Sequence, residues 1–503
     1  MNKKIILFEL NEVPYRILDD FCARHPESTF SKILSNCHQF ETISEDVGHL
    51  SPWITWPSLH RGVRNTVHNI GDFGEDLQNI DKKFPPVWSI LSDHNIKVGV
   101  FGSLHTNPLP REIDKYSFYV PDSFARSPEC IPHYLHVFQE FLLKMSHASS
   151  RNVRRKIAYS SLFNLIINIK KVGIKHITIA KCLLQILREF IDSGKVIRRR
   201  VFASILSFDV FMKQLTEKKP QFATFFTNHV ASSMHRYWSA AYPDDYDDFD
   251  LDPAWIKTYR KEIDFSMKTA DNFLHSLVNF VHENSDYSIW VATSMGQSST
   301  ETKKINTQLT VTNMSQFMKG FGLENDSWEV KPAMHPQVNI VVSKDKAEYL
   351  SDKLNRLLIG GVYVSYRQKG TFFSIDLGHI DLGEDEGVIK INNGLDESDP
   401  NYRADCYSLK DFGLINFKIQ EGTMASAYHI PQGCLLIYNY PLDSEKKRQT
   451  ISLLDIAPAI IQNYSISIPH YMHKRNLLNG ENNDTQENLS LVVNNKAAAV
   501  DAK

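Results

Sequence analysis

A chain of 503 residues, 42% apolar and 23% charged, can bury a large core as one domain with insertions or as two domains. Its net charge of −2 gives no overall attraction to nucleic acid, so no nucleic-acid partner is expected. Six scattered cysteines lack any C-x-x-C spacing, which argues against a zinc finger or a disulfide framework and favours a reducing cytosol. No stretch approaches the roughly 20 apolar residues of a membrane span, and the first ten residues become charged too soon for a signal peptide. We therefore expect a cytoplasmic protein.

Four continuous apolar runs predict the strands of a parallel sheet. They occupy residues 4–10, 97–101, 221–227 and 287–293, and a polar turn follows each of them. Pro14 then begins a helical pattern after the first run, so the chain opens with a strand, a turn and a helix. Such strands are typical of a parallel sheet covered by helices on both faces, with ligands at the carboxyl ends. The expected fold class is α/β, with a mostly parallel sheet sandwiched by helices.

A basic segment covers residues 144–200. It contains 14 Lys and Arg but only Glu189 and Asp192 as acids, and its apolar residues recur at helical spacing. We predict a basic helical insertion, which is either a solvated cap or a docking surface for an anionic substrate or a membrane. The six aspartates between residues 244 and 252 lack the glycine and spacing of a calcium loop, which favours a solvated loop.

Short strand patterns alternate with turns from residue 337 to about 420 and predict a small α+β subdomain. Residues 1–143, 201–336 and 421–480 are then expected to form the main domain. The tail, residues 481–503, is polar and then alanine-rich, and we expect it to be disordered.

Residues 51–70 read SPWITWPSLHRGVRNTVHNI and combine a Thr-x-Pro-Ser with a later glycine and a His-x-Ile. Pro57 suits the first turn of a helix, because it has no N–H group to leave unpaired. Thr55 is then expected just before the helix N-terminus, where free N–H groups favour a phosphoryl group and an attacking alkoxide. The alternative is a threonine that only caps the helix.

Further segments occur in an order that resembles a known family. They are Asn11–Glu12, VASSMHRYW at 230–238, TSMG at 293–296, GTMASAYHIPQGCLLIYN at 422–439 and LDIAPAI at 454–460. With residues 51–70 they resemble the alkaline phosphatase superfamily, in particular type I phosphodiesterases and nucleotide pyrophosphatases, over about residues 1–480. The resemblance implies a parallel sheet between helices, a two-zinc site and Thr55 as the nucleophile.

Most of the metal ligands that the resemblance implies are replaced in this chain. His235 and His429 are retained, whereas the four replaced positions are Asn11, Ala231, Ser294 and Met295. Two histidines cannot build a two-metal site. A rebuilt site would recruit other residues, for example Glu9 or Glu12 together with His235 and His429. The cofactor is therefore left open, with zinc or manganese as the candidates.

Four further residues are candidates for substrate binding. Glu9 ends a buried strand and needs a partner, which is either a substrate or a structural arginine. Gln297 either bonds a substrate hydroxyl or caps its turn. Asn11 would orient a phosphoryl group or a sugar, and Arg61 would supply positive charge.

These patterns predict an enzyme that acts on a phosphorylated glycan, a nucleotide-sugar or a lipid-linked phosphate. Thr55 would be the nucleophile, and His235 or His429 would be a base or a metal ligand. Two alternatives remain. One is a metal-free glycosyl or phosphoryl transferase, and the other is a degenerate enzyme that binds an anionic glycan or nucleotide or scaffolds a partner. The expected partner is an anionic small molecule or glycan, with peripheral membrane contact through 144–200 as a further hypothesis.

Overall fold

Helices and strands alternate along the residues that the computed structural model describes, which are 2–147, 159–246, 252–300, 305–383, 387–395, 398–419, 426–441, 448–472 and 477. The predicted tail and parts of the predicted insertion and acidic run lie outside these residues. The helices are α1 Tyr15–Arg24, α2 Thr29–Leu34, α3 Pro52–Arg61, α4 Asn65–His68, α5 Gln78–Lys83, α6 Val87–Asp93, α7 His136–His147, α8 Tyr159–Ile167, α9 Ile169–Val172, α10 His176–Ile191, α11 Arg199–Lys218, α12 His229–Ala241, α13 Pro253–Tyr259, α14 Glu262–Glu283, α15 Met314–Gly320, α16 Ala347–Asn355 and α17 Ile456–Asn463. The strands are β1 Lys4–Leu10, β2 His38–Ile43, β3 Val98–Phe101, β4 Phe118–Val120, β5 Phe222–Thr227, β6 Tyr287–Ala292, β7 Gly296–Ser299, β8 Thr307–Val311, β9 Trp328–Lys331, β10 Val338–Val342, β11 Leu357–Ile359, β12 Val362–Tyr363, β13 Ser365–Lys369, β14 Phe372–Asp376, β15 Val388–Asn392, β16 Ala404–Ser408, β17 Leu414–Lys418, β18 Ala427–Ile430, β19 Gln432–Tyr438 and β20 Gln449–Ser452.

An eight-stranded sheet forms the centre of the molecule, with the strand order β20-β2-β19-β6-β1-β5-β3-β4. Every pairing in it is parallel except those of β19, which runs antiparallel to β2 and β6. In the central strand β1, Leu10 pairs with Thr227 of β5 and Glu9 pairs with Ala292 of β6. The predicted α/β class with a mostly parallel sheet is confirmed. The polar turns after β1, β5 and β6 therefore meet at one edge.

Helices cover both faces of this sheet, and the alternation of β1 shows how. Ile6, Phe8 and Leu10 join a hydrophobic cluster with residues of α1, α11, α12 and α14. Ile5 and Leu7 point the other way, into a cluster with residues of α3, α6 and α17. Because side chains alternate along a strand, Glu9 points toward the α3 side.

Helix α3 begins earlier than the sequence indicated. Ser51 is its N-cap, Pro52 is its first residue, and Gly62, with a φ of 61°, ends it in the left-handed conformation. Thr55 therefore lies one turn inside the helix, and Pro57 lies in its interior. The expectation that Thr55 precedes the helix is wrong, because the cap and first-turn proline are Ser51 and Pro52.

A histidine compensates for the proline inside α3. Pro57 has no N–H group, so the Trp53 carbonyl four residues earlier loses its helical partner. Nε2 of His105 donates a hydrogen bond to that carbonyl at 2.7 Å. Burial, aided by the positive charge of Arg61, lowers the pKa of His105 to about 3, so its ring is neutral.

A smaller unit is inserted between β6 and β19. Its strands form two four-stranded antiparallel sheets and the pair β17–β8. A separate hydrophobic cluster fills it and extends from Leu309 to Leu414. The unit thus begins before the predicted start at residue 337. Arg367 and Lys369 of β13 form ion pairs with Asp72 and Glu75, which connect it to the main domain.

The described part of the predicted insertion, residues 159–200, contains the helices α8, α9 and α10. Within the described residues, no helix combines the length and apolar character needed to cross a membrane.

Candidate metal centre

Glu12, His235 and His429 converge at the carboxyl edge of the main sheet. Glu12 follows β1, His235 lies on α12 after β5, and His429 lies in β18 just before β19. One ligand atom from each residue lies within 4.8 Å of the other two. Nε2 of His235 is 2.9 Å from Oε2 of Glu12, and Nε2 of His429 is 3.3 Å from the same oxygen.

Backbone carbonyls fix the orientation of both imidazole rings. Nδ1 of His235 donates to the Ala427 carbonyl, and Nδ1 of His429 donates to the Leu50 carbonyl, each at 2.8 Å. Because a carbonyl only accepts, Nδ1 of each ring carries a proton, and Nε2 of each ring is directed at Glu12, where it can hold a second proton or bind a metal ion. The buried Nε2 of His429 lies near Glu12 without forming a hydrogen bond to any described residue. Histidines that bind metals are usually held in this way.

Glu12 is ionised in this arrangement. Burial alone would raise its pKa, but the facing His429 and His235 outweigh burial and hold the pKa far below its ordinary value. Burial opposes the charge on His429 as well, yet the Glu12 carboxylate raises the pKa of this histidine. Without a metal ion, the cluster thus pairs one carboxylate with imidazoles whose protonated form stabilises it.

Two amides hold the Glu12 carboxylate in place. Nδ2 of Asn11 donates to Oε1 of Glu12 and to Oδ1 of Asn228, both at 2.7 Å. Oδ1 of Asn11 accepts from Nε1 of Trp56 at 2.7 Å. Nε2 of Gln297 donates to Glu12 and, at 3.2 Å, to the Ala231 carbonyl. Asn11 and Gln297, which the sequence suggested for substrate binding, are therefore both engaged by Glu12.

The Glu12 carboxylate lies close to the backbone of Ala231. Ala231 is buried on α12, one turn before His235, and its side chain cannot bind a metal. The Glu12 carboxylate approaches this position from the end of β1 and shares Gln297 with the Ala231 backbone. Its φ of 61° lies in the left-handed region, which is uncommon for a residue other than glycine and is often found at functional sites.

Besides Glu12, His235 and His429, the described residues form no second group of His, Cys, Asp and Glu side chains that could hold a metal ion. Thr55 and Ser294 share a hydrogen bond of 2.7 Å between their hydroxyls, and both residues are buried. Met295, which follows Ser294 in the chain, is also buried. The side-chain oxygen of Asn11 already accepts a hydrogen bond from Trp56. The described residues at this edge thus fit one metal ion and not two.

Glu9 and Arg61 do not join the cluster. Glu9 is buried on the α3 side, where its Oε1 lies 2.7 Å from Nε2 of His60 and its Oε2 accepts from the Ser103 hydroxyl at 2.7 Å. The partner of Glu9 is therefore a histidine. Nη2 of the buried Arg61 donates to Oδ1 of Asp81 at 2.7 Å.

Ser51 is a candidate that the sequence reasoning missed. It is buried at the N-cap of α3, and its hydroxyl has no hydrogen-bond partner among the described residues. The preceding residue, Leu50, is the one whose carbonyl holds His429. The Thr55 hydroxyl, in contrast, lies 2.7 Å from the Ser294 hydroxyl and 3.3 Å from the Ser51 carbonyl. The signal was present in the sequence, because Ser-Pro is a common start of a helix.

No protein-family model matches the sequence, and no curated protein matches it either. Among solved structures, murine ectonucleotide pyrophosphatase/phosphodiesterase 5 is similar over 94% of this chain and 98% of its own, with a TM-score of 0.38 and 10% identity. Alkaline phosphatase PafA is similar over 95% of this chain and 98% of its own, with a TM-score of 0.44 and 12% identity. Phosphonoacetate hydrolase from Sinorhizobium meliloti is similar over 92% and 96%, with a TM-score of 0.35 and 12% identity. These matches describe a similarity in the course of the chain, not in function.

Proposed function

We propose that this protein is a metal-dependent enzyme that cleaves or transfers a phosphoester, with one divalent ion held by Glu12, His235 and His429. The observation that carries the proposal is the convergence of two correctly oriented Nε2 atoms on the Glu12 carboxylate. Two imidazoles and one carboxylate suit zinc and also suit manganese, and they leave a coordination position for substrate or water. Zinc or manganese is therefore the cofactor that we expect.

When bound, such an ion supplies positive charge to a phosphoryl oxygen and lowers the pKa of an oxygen nucleophile. The residues of the chain supply orientation. Asn11 and Gln297 hold the Glu12 carboxylate, and two backbone carbonyls hold the imidazoles. The N-terminus of α3 adds a partial positive charge beside Ser51, which favours an anionic group.

Of the two hydroxyls near this helix start, we assign the nucleophile to Ser51 and a structural role to Thr55. The Ser51 hydroxyl has no hydrogen-bond partner among the described residues, whereas that of Thr55 already lies within hydrogen-bonding distance of Ser294. A nucleophile must be able to direct its lone pair at the reacting atom, and a hydroxyl held inside a helix is less able to do so.

We extend the proposal to a substrate whose phosphate is attached to a glycan, a nucleotide-sugar or a lipid. What supports this extension is the basic composition of residues 144–200, which suits a polyanionic or membrane-bound substrate. A panel of such phosphates, compared at equal concentration, tests it. If a small aryl phosphate is turned over as fast as every member of the panel, the proposed preference for a glycan, nucleotide-sugar or lipid phosphate is wrong.

The experiment for the activity itself uses untagged protein that has been stripped with a chelator and then given zinc or manganese. Hydrolysis of bis(p-nitrophenyl) phosphate and p-nitrophenyl phosphate is measured for wild type, for Glu12→Gln and for the control Glu283→Gln, which changes an exposed carboxylate on α14. We expect metal-dependent turnover in wild type and in the control, and its loss in Glu12→Gln. Turnover that is indifferent to metal and to Glu12→Gln would contradict the proposal.

A second candidate is a metal-free transferase or a binding protein for an anionic glycan or nucleotide. The observation that favours it is the charge balance of the cluster, since Glu12 lies within ion-pairing distance of both imidazoles. In that case, added metal would leave ligand binding unchanged, and the histidines would act as donors to the anion.

A further inference from the structure

Helix α10 exposes its apolar side chains. Thr178 and Gln185 are buried, while the exposed residues include Ile177, Leu183, Leu184, Leu187, Phe190 and Ile191. Phe190 is 83% exposed and Ile191 is 88% exposed. A helix on the surface of a folded domain normally shows the opposite pattern.

The exposed apolar residues of α10 form one continuous face. Positions 177, 180, 184, 187 and 191 recur at intervals of three and four, so they line one side of α10, and 183 and 190 lie next to them. Helix α8, earlier in the same segment, also exposes the apolar side chains of Phe163, Ile166 and Ile167. We refer to these exposed side chains of α8 and α10 as the apolar face. Apolar patches of this extent usually mark a contact with a protein or a membrane.

Positive charge borders the apolar face along one edge of α10. Residues 159–200 contain nine Lys and Arg, but only Glu189 and Asp192 as acids. Glu189 forms an ion pair with Arg199, and Asp192 accepts a hydrogen bond from the Gly194 backbone. Within the described residues, Lys170, Lys181 and Arg188 form no ion pair. Lys181 and Arg188 each lie four residues after an apolar position, 177 and 184, and so border the face along α10.

We propose that α8–α10 is a docking element for an anionic membrane surface. The helices lie in the plane of the interface, with the apolar face in the acyl boundary and with Lys181 and Arg188 among the headgroups. Helix α10 has 16 residues, fewer than the roughly 20 that a membrane span needs. A second copy of the chain would bring two equally basic faces together, whereas an anionic bilayer is complementary to both the charge and the apolar area.

The test is co-sedimentation of the full-length protein with vesicles of phosphatidylcholine alone or mixed with phosphatidylglycerol. We expect binding only to the anionic vesicles, decreasing between 50 mM and 500 mM salt because the charges are screened. The variant Leu183→Ser, Leu187→Ser, Phe190→Ser should bind on the order of tenfold or more weakly. The control variant Val330→Ser, Val388→Ser, Ile415→Ser changes three exposed apolar residues of the smaller unit and should bind as wild type does.

The electrostatic part has its own pair of variants. Lys181→Glu with Arg188→Glu should weaken binding, whereas Lys82→Glu with Lys83→Glu, which reverses the same charge on the exposed α5, should not. Circular dichroism of each variant checks that it is folded. The variant Phe190→Trp gives a second measurement. Its fluorescence emission, after the wild-type spectrum is subtracted, should move to shorter wavelength when anionic vesicles are added.

Three results would overturn the proposal. One is wild-type protein that stays in solution with anionic vesicles at 50 mM salt. Another is binding that is equally strong to neutral and to anionic vesicles and that is unchanged in both charge-reversal variants. The third is a dimer in analytical ultracentrifugation that the triple serine variant abolishes, without vesicle binding, which would assign the apolar face to a second copy of the chain.

Discussion

Glu12 can act as a ligand only because neighbouring side chains fix its carboxylate. Gln297 connects that carboxylate to the backbone of Ala231, and Asn11 holds the other oxygen. Side chains in this position around metal ligands typically change metal affinity by ten- to a hundredfold when they are removed.

We therefore predict that Gln297→Leu weakens zinc binding by about ten- to a hundredfold, because Glu12 loses a donor and its orientation. A competition titration against a chelating dye measures the dissociation constant. Gln214→Leu is the matched control, since it removes a buried amide of α11 that donates to the Tyr134 hydroxyl, away from the cluster. Equal zinc affinities for wild type and Gln297→Leu would show that Gln297 does not position Glu12.

A second pair of variants separates the two hydroxyls. Ser51→Ala should abolish turnover with the metal content unchanged, because only the proposed nucleophile is removed. Thr55→Val should retain turnover and lower the free energy of unfolding by about 1–2 kcal/mol, since Ser294 loses its partner. Steady-state kinetics and urea denaturation measure the two effects. Full turnover in Ser51→Ala together with none in Thr55→Val would return the nucleophile to Thr55.

The start of helix α3 was predicted wrongly, although the neighbouring strands and helix α1 were predicted correctly. Local patterns correctly indicated β1, β5, β6 and α1, because continuous apolar runs and helical spacing are properties of neighbouring residues. The start of α3 lies at Ser51 and Pro52, and the helix continues through Pro57 because His105, distant in the sequence, bonds the Trp53 carbonyl that the proline leaves free. Pro57 taken alone therefore suggested a helix start that the structure places five residues earlier.

For the candidate metal centre, too, the sequence was only partly informative. It indicated the carboxyl edge of the sheet and the two histidines, His235 and His429, but it left Glu9 and Glu12 as alternative carboxylates. The choice between Glu9 and Glu12 depended on which way each side chain points. Alternation sends Glu9 to His60 on the α3 side, whereas the left-handed backbone after β1 brings Glu12 to the histidines. A sequence does not show that left-handed residue.

The compensation inside α3 predicts a non-additive pair of variants. His105→Phe should cost about 1–3 kcal/mol of unfolding free energy, because the Trp53 carbonyl is left unpaired. With Pro57→Ala the backbone N–H at position 57 can bond that carbonyl, so the same substitution should cost less. Urea denaturation of the four proteins measures the coupling. Identical costs in both backgrounds would mean that His105 acts independently of Pro57.

Three buried histidines should make the folded protein sensitive to acid. Burial, reinforced for His68 and His105 by Arg61, lowers the pKa of His68 to about 2 and that of His105 to about 3, and burial lowers that of His229 to about 4. The unfolded chain takes up these protons near pH 6.5, while the folded chain does not. Stability therefore falls as the pH drops below 6.5, by about 1.4 kcal/mol per pH unit for each histidine, down to its folded pKa.

This prediction is measured by urea denaturation between pH 7.5 and 5. In His229→Gln the free energy of unfolding should fall less steeply with decreasing pH than in wild type. The difference in slope corresponds to about one proton, because the glutamine does not titrate. Replacing the exposed His275 of α14 in the same way provides the control and should leave the slope unchanged. A free energy of unfolding that stays constant from pH 6.5 to pH 5 would contradict the neutral state assigned to these rings.

A metal centre built from Glu12, His235 and His429 would hold a single ion per chain, and the metal content of the purified protein shows whether it does. Plasma mass spectrometry of untagged protein should find about one equivalent of zinc or manganese per chain, lost in His429→Ala and kept in His275→Ala. Two equivalents would contradict the count of ligands, and a metal content that His429→Ala leaves unchanged would place the ion elsewhere. No bound metal, even after incubation with zinc or manganese, would reject the metal-dependent mechanism and leave the metal-free transferase or binding protein.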